Sequence, residues 1–528
     1  MRKFKIINLS KPILFKVFDV EPFEWWNDKQ KRLMQEAQVF AEENLGKGQE
    51  IFWTKKFPLG MLKEIAGKGW FGAAIPQEFG GIDSGVTGVA IVAEELSRVS
   101  SGLAEAYAVS MFGGVEQLLT FGTKEQKRKW LPKIAKGEVV GAVCITEPSV
   151  GSDAAGVEST AERERDYYTL NGKKRFITNA GLADIYVVYV KTSEKPEDKI
   201  KYQHLTAFLV EKGAPGFSVE KINELSGWFG LPNGFLDFEN VKVSADSIIG
   251  HEGEGWKVMM AGLNFERVVY SAAMLGPMRE SIRYAVAYAQ RRMQFGKPTI
   301  EIPTNQAKIA DMLTGLHSSR LLVYHAAHLL DEHKEAMVDA ATAKLFASET
   351  YERLISDAIM VMGGDGWTRF YPVESYLRDA KVNQIGAGTN DIMKLVILRG
   401  GLKALGKDLR MPQRKVHEKL GVPVSTVEPL RKMEMSEDNV LKVLAEDYQV
   451  NPGLFMSRED LKERLINAAD EKLDQVLKSL EAERLVKLYR DGRGTVTLVK
   501  ASYDGLRKGC SLEKFKWYPE WLNKDFIF

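Results

Sequence analysis

A carboxylate set into an apolar helical stripe is the residue of this chain best placed to do chemistry. Met259, Leu263, Tyr270 and Met274 recur at helical spacing, and Glu266 falls between Leu263 and Tyr270 on the same face. Burial costs a carboxylate its solvation, and the cost falls on the charged form, so such a group titrates high. A carboxyl raised in this way is suited to taking a proton from carbon. The competing reading is a structural ion pair between Glu266 and a core arginine.

Three further segments offer binding chemistry. Ile145-Thr-Glu-Pro-Ser-Val-Gly-Ser-Asp153 ends a β-rich run and presents backbone N–H groups and hydroxyls to an acceptor-rich ligand. Phe176-Ile-Thr178 adds an aromatic plane and another hydroxyl, a set suited to a flat heterocycle. Arg291-Arg-Met-Gln-Phe-Gly-Lys297 closes a long helical pattern, where a guanidinium could clamp a phosphate. Cations are favoured at a helix C-terminus without any ligand, however. The third segment runs from Gly363-Gly-Asp-Gly366 through Tyr371-Pro-Val-Glu374 and Arg378-Asp-Ala-Lys381 to Gly386-Ala-Gly-Thr389. Its glycines permit close approach of backbone to ligand, and loops between helices use them for turns as well.

Several domains are needed to position these segments, as the length of 528 residues also implies. Residues 1–20, with Arg2, Lys3, Lys5, Lys11 and Lys16, read as a packed N-terminal arm; their interspersed charges leave no secretory apolar segment. Residues 21–138 read as a helical domain, with helical spacing over Gln30–Leu45, Met61–Gly67 and Thr123–Ile134. Residues 139–250 are β-rich, with strands expected at Val139–Ile145, Tyr167–Leu170, Ile185–Val190, Leu205–Val210, Phe217–Ile222 and Leu236–Val243. Asn171-Gly172 reads as the type I′ turn of a hairpin, and the run of strands predicts a small barrel or sandwich. Residues 251–408 predict a four-helix bundle from long patterns at Gly255–Arg292 and Thr304–Glu332. Ile309, Leu313, Leu316, Val323 and Ala327 trace one face of the second. Residues 409–528 are an extension: a linker marked by Met411-Pro412, Gly421-Val-Pro423 and Pro429, then helices at Ser436–Tyr448, Ser457–Asn467 and Glu471–Glu483. A hairpin of Leu485–Tyr489 and Thr495–Val499 completes a winged-helix-like order. The fold class expected is therefore a multidomain α+β chain.

The three binding segments, in this order and spacing, resemble the acyl-CoA dehydrogenase family over about residues 21–405. The resemblance implies an N-terminal helical domain, a middle β domain and a C-terminal four-helix bundle, with FAD between them, in a homotetramer or dimer. It implies oxidation of an acyl-CoA thioester to a trans-2-enoyl-CoA, with electrons passed to an electron-transfer flavoprotein. Carried over by position, Val143, Ile145, Thr146, Gly151, Ser152, Phe176 and Thr178 line the flavin. Arg292, Gln294, Phe295 and Gly364 reach the FAD of a neighbouring subunit, and Thr389 and Asp391 the near one. Ser152, Leu263, Arg267, Gly386 and Ala387 contact substrate, the last through its N–H on the thioester carbonyl. Two positions depart from the family pattern: Met360 stands where a Gln is common, and Asp391 replaces a Gln or Glu. Most of the family carries its catalytic Glu at the position of Ala387, which cannot titrate. The isovaleryl-CoA and long-chain branches carry it on the first bundle helix before an Arg, and Leu263-Asn-Phe-Glu-Arg267 matches that site. Glu266 is thus the implied base. The other readings are an acyl-CoA oxidase, or a silent flavin-binding or nucleic-acid-associated paralogue with Ala387 marking lost catalysis.

Bulk properties exclude other classes. Lys and Arg total 73 against 71 Asp and Glu, so no global field attracts nucleic acid or an anionic membrane. No apolar run approaches the ~20 residues that span a bilayer. Cys144 and Cys510 are far apart and suggest a reducing cytoplasm rather than a disulfide framework. No metal is expected: His325 and His328 share a helix face, but His333 falls off it, and Asp331 alone does not complete a site of three or four ligands. From Met411 onward 21 Lys and Arg accompany 20 Asp and Glu, so the extension lacks the basic excess that DNA binding needs. It reads instead as an oligomerisation, partner-docking or membrane-proximal module.

Overall fold

Asn27 opens the first helix, α1 (Asp28–Thr54), through a reciprocal cap: its side chain accepts from the Gln30 N–H and the Gln30 side chain from the Asn27 N–H, each at 3.0 Å. The computed structural model describes residues 21–409, 432–450, 454–491 and 494–510. The arm expected over residues 1–20 and the linker around Met411–Pro429 lie outside them. After α1 come α2 (Leu59–Gly67), α3 (Gly85–Val99), α4 (Ser101–Ser110), a π-helical turn over Met111–Glu116, α5 (Gln117–Phe121) and α6 (Lys124–Ala135). Buried residues run unbroken from Thr87 to Val99, so α3 is enclosed on all sides. The N–H groups at its start would be orphans; Asp331 accepts from Val86 at 2.6 Å and Thr87 at 3.3 Å.

The middle domain is a sheet of β1 (Gly141–Cys144), β2 (Thr160–Glu164), β3 (Tyr167–Thr178), β4 (Ile185–Lys191), β5 (Leu205–Glu211), β6 (Phe217–Ile222), β7 (Asn233–Ser244) and β8 (Ile248–Ile249), with the short α7 (Pro196–Ile200) between β4 and β5. Its order is β6-β7-β3-β2-β4-β5-β8, and β1 pairs parallel with β4. The turn expected at Asn171-Gly172 is not formed. Those residues lie inside one twelve-residue strand, β3, at a bulge against β7. The Asn171 side chain accepts from the Asn240 N–H at 2.8 Å, and a Cβ on Gly172 would meet Ser159 Oγ at 2.2 Å. Pairing along β7 outweighs the local turn preference. The chain reverses earlier, at Arg165-Asp166, where Arg165 takes φ 57° and Glu164 pairs with Tyr167.

The third region holds α8 (Gly255–Arg291), the two-residue strands β9 (Met293–Gln294) and β10 (Lys297–Pro298), α9 (Pro303–Asp331), α10 (Met337–Met362), α11 (Val373–Ile385) and α12 (Asn390–Leu409). The 37-residue α8 carries no single apolar stripe, because every residue from Arg267 to Ile282 is buried. It is packed by α3 and α4 on one side and by α9 and α10 on others. Contact with α3 is backbone-close: a Cβ on Gly276 would meet Ser97 Oγ at 2.2 Å. Charge crosses the same interface. Arg279 pairs with Glu94 and Glu95, and Arg98 with Glu95 and Glu280, all nearly dry. Breaking one partner of such a set leaves an uncompensated buried charge.

The described residues form two compact units, one ending at Leu402 and a second beginning at Lys403. Within that unit lie β11 (Met433–Glu434), α13 (Glu437–Val450), β12 (Met456–Ser457), α14 (Arg458–Glu463), β13 (Leu465–Ile466), α15 (Asp470–Ala482), the hairpin β14 (Val486–Arg490) and β15 (Val496–Ala501), and α16 (Tyr503–Gly509). Its sheet order is β12-β15-β14. Leu441, Leu461, Leu473, Leu477 and Val499 form its core. No described helix is long and apolar enough to cross a membrane.

Candidate active site

Glu266 sits near the start of the enclosed stretch of α8, where the surrounding atoms strip it of water while its own surface stays partly exposed. Burial pushes its carboxyl up to about 7, against smaller opposing effects of the Arg267 and Lys344 cations. Glu266 makes no hydrogen bond or ion pair with any described residue. Arg267 turns to other partners: its Nε donates to the Ala387 carbonyl at 3.4 Å and its Nη1 to Asn264 Oδ1 at 3.3 Å. The arrangement provides a largely desolvated, unpaired carboxyl raised to about 7, which suits it to proton abstraction.

Two ionisable groups from other elements feel the charge of Glu266, and a third, Asp379, faces the first of them. Glu105 of α4 is buried, and its carboxyl is held well above the usual range by burial and then by the charges of Glu266 and Asp379. Tyr189 of β4 is pushed up by burial, with a smaller effect from Glu266. Asp379 of α11 reaches about 7 through burial, opposed by a hydrogen bond from the Trp228 N–H.

The Gly386–Thr389 loop joins α11 to α12 and is tied down at several points. Ala387 takes φ 54° and Gly388 φ 88°, a left-handed pair that costs energy at the alanine. Tyr270 OH donates to the Val382 carbonyl at 2.9 Å and fills the place a side chain on Gly386 would need, 2.7 Å from a Cβ there. Lys344 of α10, fully buried, donates from Nζ to the Gly388 carbonyl and to Asn390 Oδ1, each at 2.9 Å. Thr389 Oγ1 accepts from the Ile392 N–H at 3.3 Å and so caps α12. Among the described residues nothing accepts from the Ala387 N–H. The loop therefore presents a fixed backbone donor.

A second cradle forms where β1 ends. Lys174 of β3, with no exposed surface, donates from Nζ to the Ile145 carbonyl at 3.3 Å, Glu147 Oε1 at 2.7 Å and the Tyr189 carbonyl at 2.6 Å. Glu147 also accepts from the Glu158 and Ser159 N–H groups. Burial raises its carboxyl, but the Lys174 charge and these hydrogen bonds hold it below the usual range. The Ile145–Asp153 loop is thus anchored at its base. Arg175 N–H donates to the Thr146 carbonyl at 2.8 Å, which brings Phe176 beside that loop. Phe176, at φ 59°, is 52% exposed, with the Arg175 guanidinium 4.4 Å from its ring centroid. Val143, Ile145, Thr146 and Thr178 are half-buried, and Gly151 and Ser152 exposed. No atom lies within 4 Å of a Cβ built on Gly151.

Other residues singled out in the sequence lie elsewhere. Arg292, Gln294 and Phe295 are exposed at the opposite end of α8 from Glu266, and Gly364 lies in the exposed turn at Gly363–Trp367. Tyr288 OH donates to Asp365 Oδ2 at 2.6 Å and joins that turn to the end of α8. Asp391 is exposed and Leu263 half-buried. Asp331 caps α3, and His325 approaches Asp339 at 3.8 Å; among the described residues no group of three could hold a metal.

Family models for the N-terminal, middle and C-terminal domains of acyl-CoA dehydrogenase match residues 27–138, 142–241 and 253–402. An acyl-CoA dehydrogenase of Bacillus subtilis (strain 168) is 38% identical over 374 residues, 70% of this chain and 97% of that protein. The chain belongs to the acyl-CoA dehydrogenase family. A mitochondrial isovaleryl-CoA dehydrogenase of Solanum tuberosum is 35% identical over 399 residues, 75% of this chain and 95% of the relative. The solved butyryl-CoA dehydrogenase of Megasphaera elsdenii superposes with a TM-score of 0.69 at 34% identity, covering 72% of this chain and all of that one. As a family member the chain is an FAD-dependent oxidoreductase acting on acyl-CoA. The cradle fits that group: an outward aromatic face, threonine hydroxyls beside it and open backbone at Gly151 suit a flat, acceptor-rich ring.

The sequence pointed to Glu266, Arg267 and the Gly386–Thr389 loop, but not to Lys344 or to the roles of Lys174 and Glu147. Lysines in helix and strand patterns ordinarily read as solvated charge. Only Ala341 and Ala347 flanking Lys344, small residues that mark a tight interface, gave a signal.

Proposed function

We propose that Glu266 is the base of an acyl-CoA dehydrogenase whose acyl group is branched or bulky. The observation that carries the reading is an unpaired, half-buried carboxyl raised to about 7 by desolvation, on the helix that also grips the Gly386–Thr389 loop. Glu266 takes the α-proton of the thioester. The Ala387 N–H donates to the thioester carbonyl and stabilises the enolate charge that develops, an effect of the oxyanion-hole kind. Arg267 fixes the loop through the Ala387 carbonyl and faces the same charge. FAD, when bound, supplies the acceptor for the β-hydride. Val143, Ile145, Thr146, Gly151, Ser152, Phe176 and Thr178 would line the flavin, and Thr389 and Asp391 would contact the same cofactor. Ser152, Leu263 and Gly386 complete the substrate contacts. The small side chain at 387 leaves room beside the α- and β-carbons, which favours a branched acyl group in branched-chain or β-oxidation metabolism.

Arg292, Gln294, Phe295 and Gly364 serve the FAD of a neighbouring subunit in a homotetramer or dimer. Phe295 at 92% exposure, Trp367 at 81% and Phe370 at 78% supply the apolar surface such an assembly covers. Electrons pass to an electron-transfer flavoprotein in the cytoplasm. The extension docks a protein partner rather than DNA: α15, the helix that would enter a groove, bears Asp470, Glu471, Asp474 and Glu481 against Lys472 and Lys478.

The test is anaerobic bleaching of the yellow protein by isovaleryl-, isobutyryl-, butyryl- and octanoyl-CoA. Bleaching by a branched substrate supports the reading. Rapid oxygen consumption without an acceptor protein points to an oxidase, and no bleaching by any of the four overturns it.

A further inference from the structure

Three basic residues stand in a row on β3, and carboxylates answer only the first two. Lys173 Nζ lies 2.7 Å from Glu220 Oε2 and 3.7 Å from Asp237 Oδ2. Lys174 Nζ lies 2.7 Å from Glu147 Oε1. Arg175 has no such partner. Among the described residues its guanidinium makes no ion pair and no hydrogen bond, and its Nε is buried without either. A half-buried cation left in that state costs stability that an apolar side chain of similar length would not.

The backbone holds it there. Lys174 pairs with Leu236 of β7 and Ile177 with Gly234, so Arg175 and Phe176 together face the one residue between, Phe235. A bulge of this kind re-aims side chains out of the regular alternation, and Phe176 takes φ 59° to make it. The Arg175 N–H donates to the Thr146 carbonyl at 2.8 Å, which ties the bulge to the Ile145–Asp153 loop. The guanidinium carbon lies 4.4 Å from the Phe176 ring centroid and 5.2 Å from that of Phe235. Both rings attract a cation through their faces. A methionine would fill the same gap, but it carries no charge. The cation is thus fixed against the aromatic residue that the cradle offers to a flat ring, and no carboxylate neutralises it.

A charge placed in this way acts on whatever charge appears beside Phe176. Hydride transfer moves two electrons and one proton, so a neutral ring that accepts it gains one negative charge. We infer that Arg175 sets the reduction potential of the bound flavin, its unpaired guanidinium favouring the ring after hydride transfer over the ring before it. This goes beyond the proposed reaction and rests on the placement of Phe176 against the flavin.

The experiment is a spectroelectrochemical titration of the substrate-free, FAD-loaded full-length protein. Loss of one opposite charge beside a partly dehydrated group shifts an equilibrium by about tenfold, which for a two-electron couple is about 30 mV. Arg175→Met is expected to lower the midpoint potential by that amount, and Arg175→Lys to keep it near wild type. Should the methionine variant not hold FAD, Arg175→Gln makes the same charge test. An unchanged potential in the neutral variant overturns the inference and leaves Arg175 a packing residue. An equal drop with lysine overturns it too, because charge would not be the cause. Phe176→Leu reports separately on the placement, since the visible spectrum of bound FAD shifts when an aromatic ring against the flavin is removed. With an unmoved potential, a shifted spectrum removes the inference alone, and an unshifted one removes the placement as well. If the potential responds to Arg175 while no acyl-CoA bleaches the wild type, the inference stands and the dehydrogenase reading falls.

Discussion

At the scale of single residues, Glu266 makes the most exposed claims. Glu266→Gln keeps the yellow colour and loses bleaching by roughly 10²–10⁴-fold or more, the usual worth of a general base; retained bleaching in a stopped-flow trace would place the base elsewhere. The wild-type rate rises with pH through a limb near 7, because the ionised form is the competent one. Stability runs the other way. The folded carboxyl keeps its proton up to about 7, whereas an unfolded chain releases it near 4.5. Between those values the fold binds more protons, so its stability falls as pH rises. Glu266→Gln is therefore expected to melt a few degrees above wild type at about pH 8 and level with it at about pH 4. Glu266 was legible in the sequence because a carboxylate amid apolar residues breaks a pattern. Lys344 and Lys174 were not, since each is held in part by backbone carbonyls, and a carbonyl has no letter in the sequence.

At the scale of elements, the two long helices read in the bundle region were legible, and the turn read at Asn171-Gly172 was not. The spacing gave α8 and α9 to within a residue or so at each end, since a helix is decided locally. Asn171-Gly172 misled because the length and reach of β7, a non-local property, decided whether the chain turned there. The apolar stripe on α8 was likewise too narrow a reading, as packing by helices on several sides demands apolar residues all round. The cap that Asp331 provides for α3 is another long-range feature, bridging residues far apart in the chain. Asp331→Ala removes acceptors from Val86 and Thr87. It is expected to cost about 1–2 kcal/mol, seen as a lower melting temperature. The bleaching rate per bound flavin stays unchanged, because the residue touches neither the loop nor the base.

At the scale of the whole molecule, length implied only that several domains are present, and exposed apolar surface says more. Trp367→Glu with Phe370→Glu is expected to yield a smaller species in sedimentation and to release FAD on dilution, while circular dichroism keeps its helical signal. An unchanged sedimentation coefficient would assign that surface to something other than self-association. The unbroken course of α8 carries a geometric consequence for any such assembly. Glu266 and Arg292 are separated along it by a span of about 39 Å at the α-helical rise. That rod is far longer than one dinucleotide, so the two ends of a single copy cannot attend the same cofactor molecule. On the role proposed for it, Arg292 therefore meets the cofactor of another copy, and a solitary chain lacks that contact.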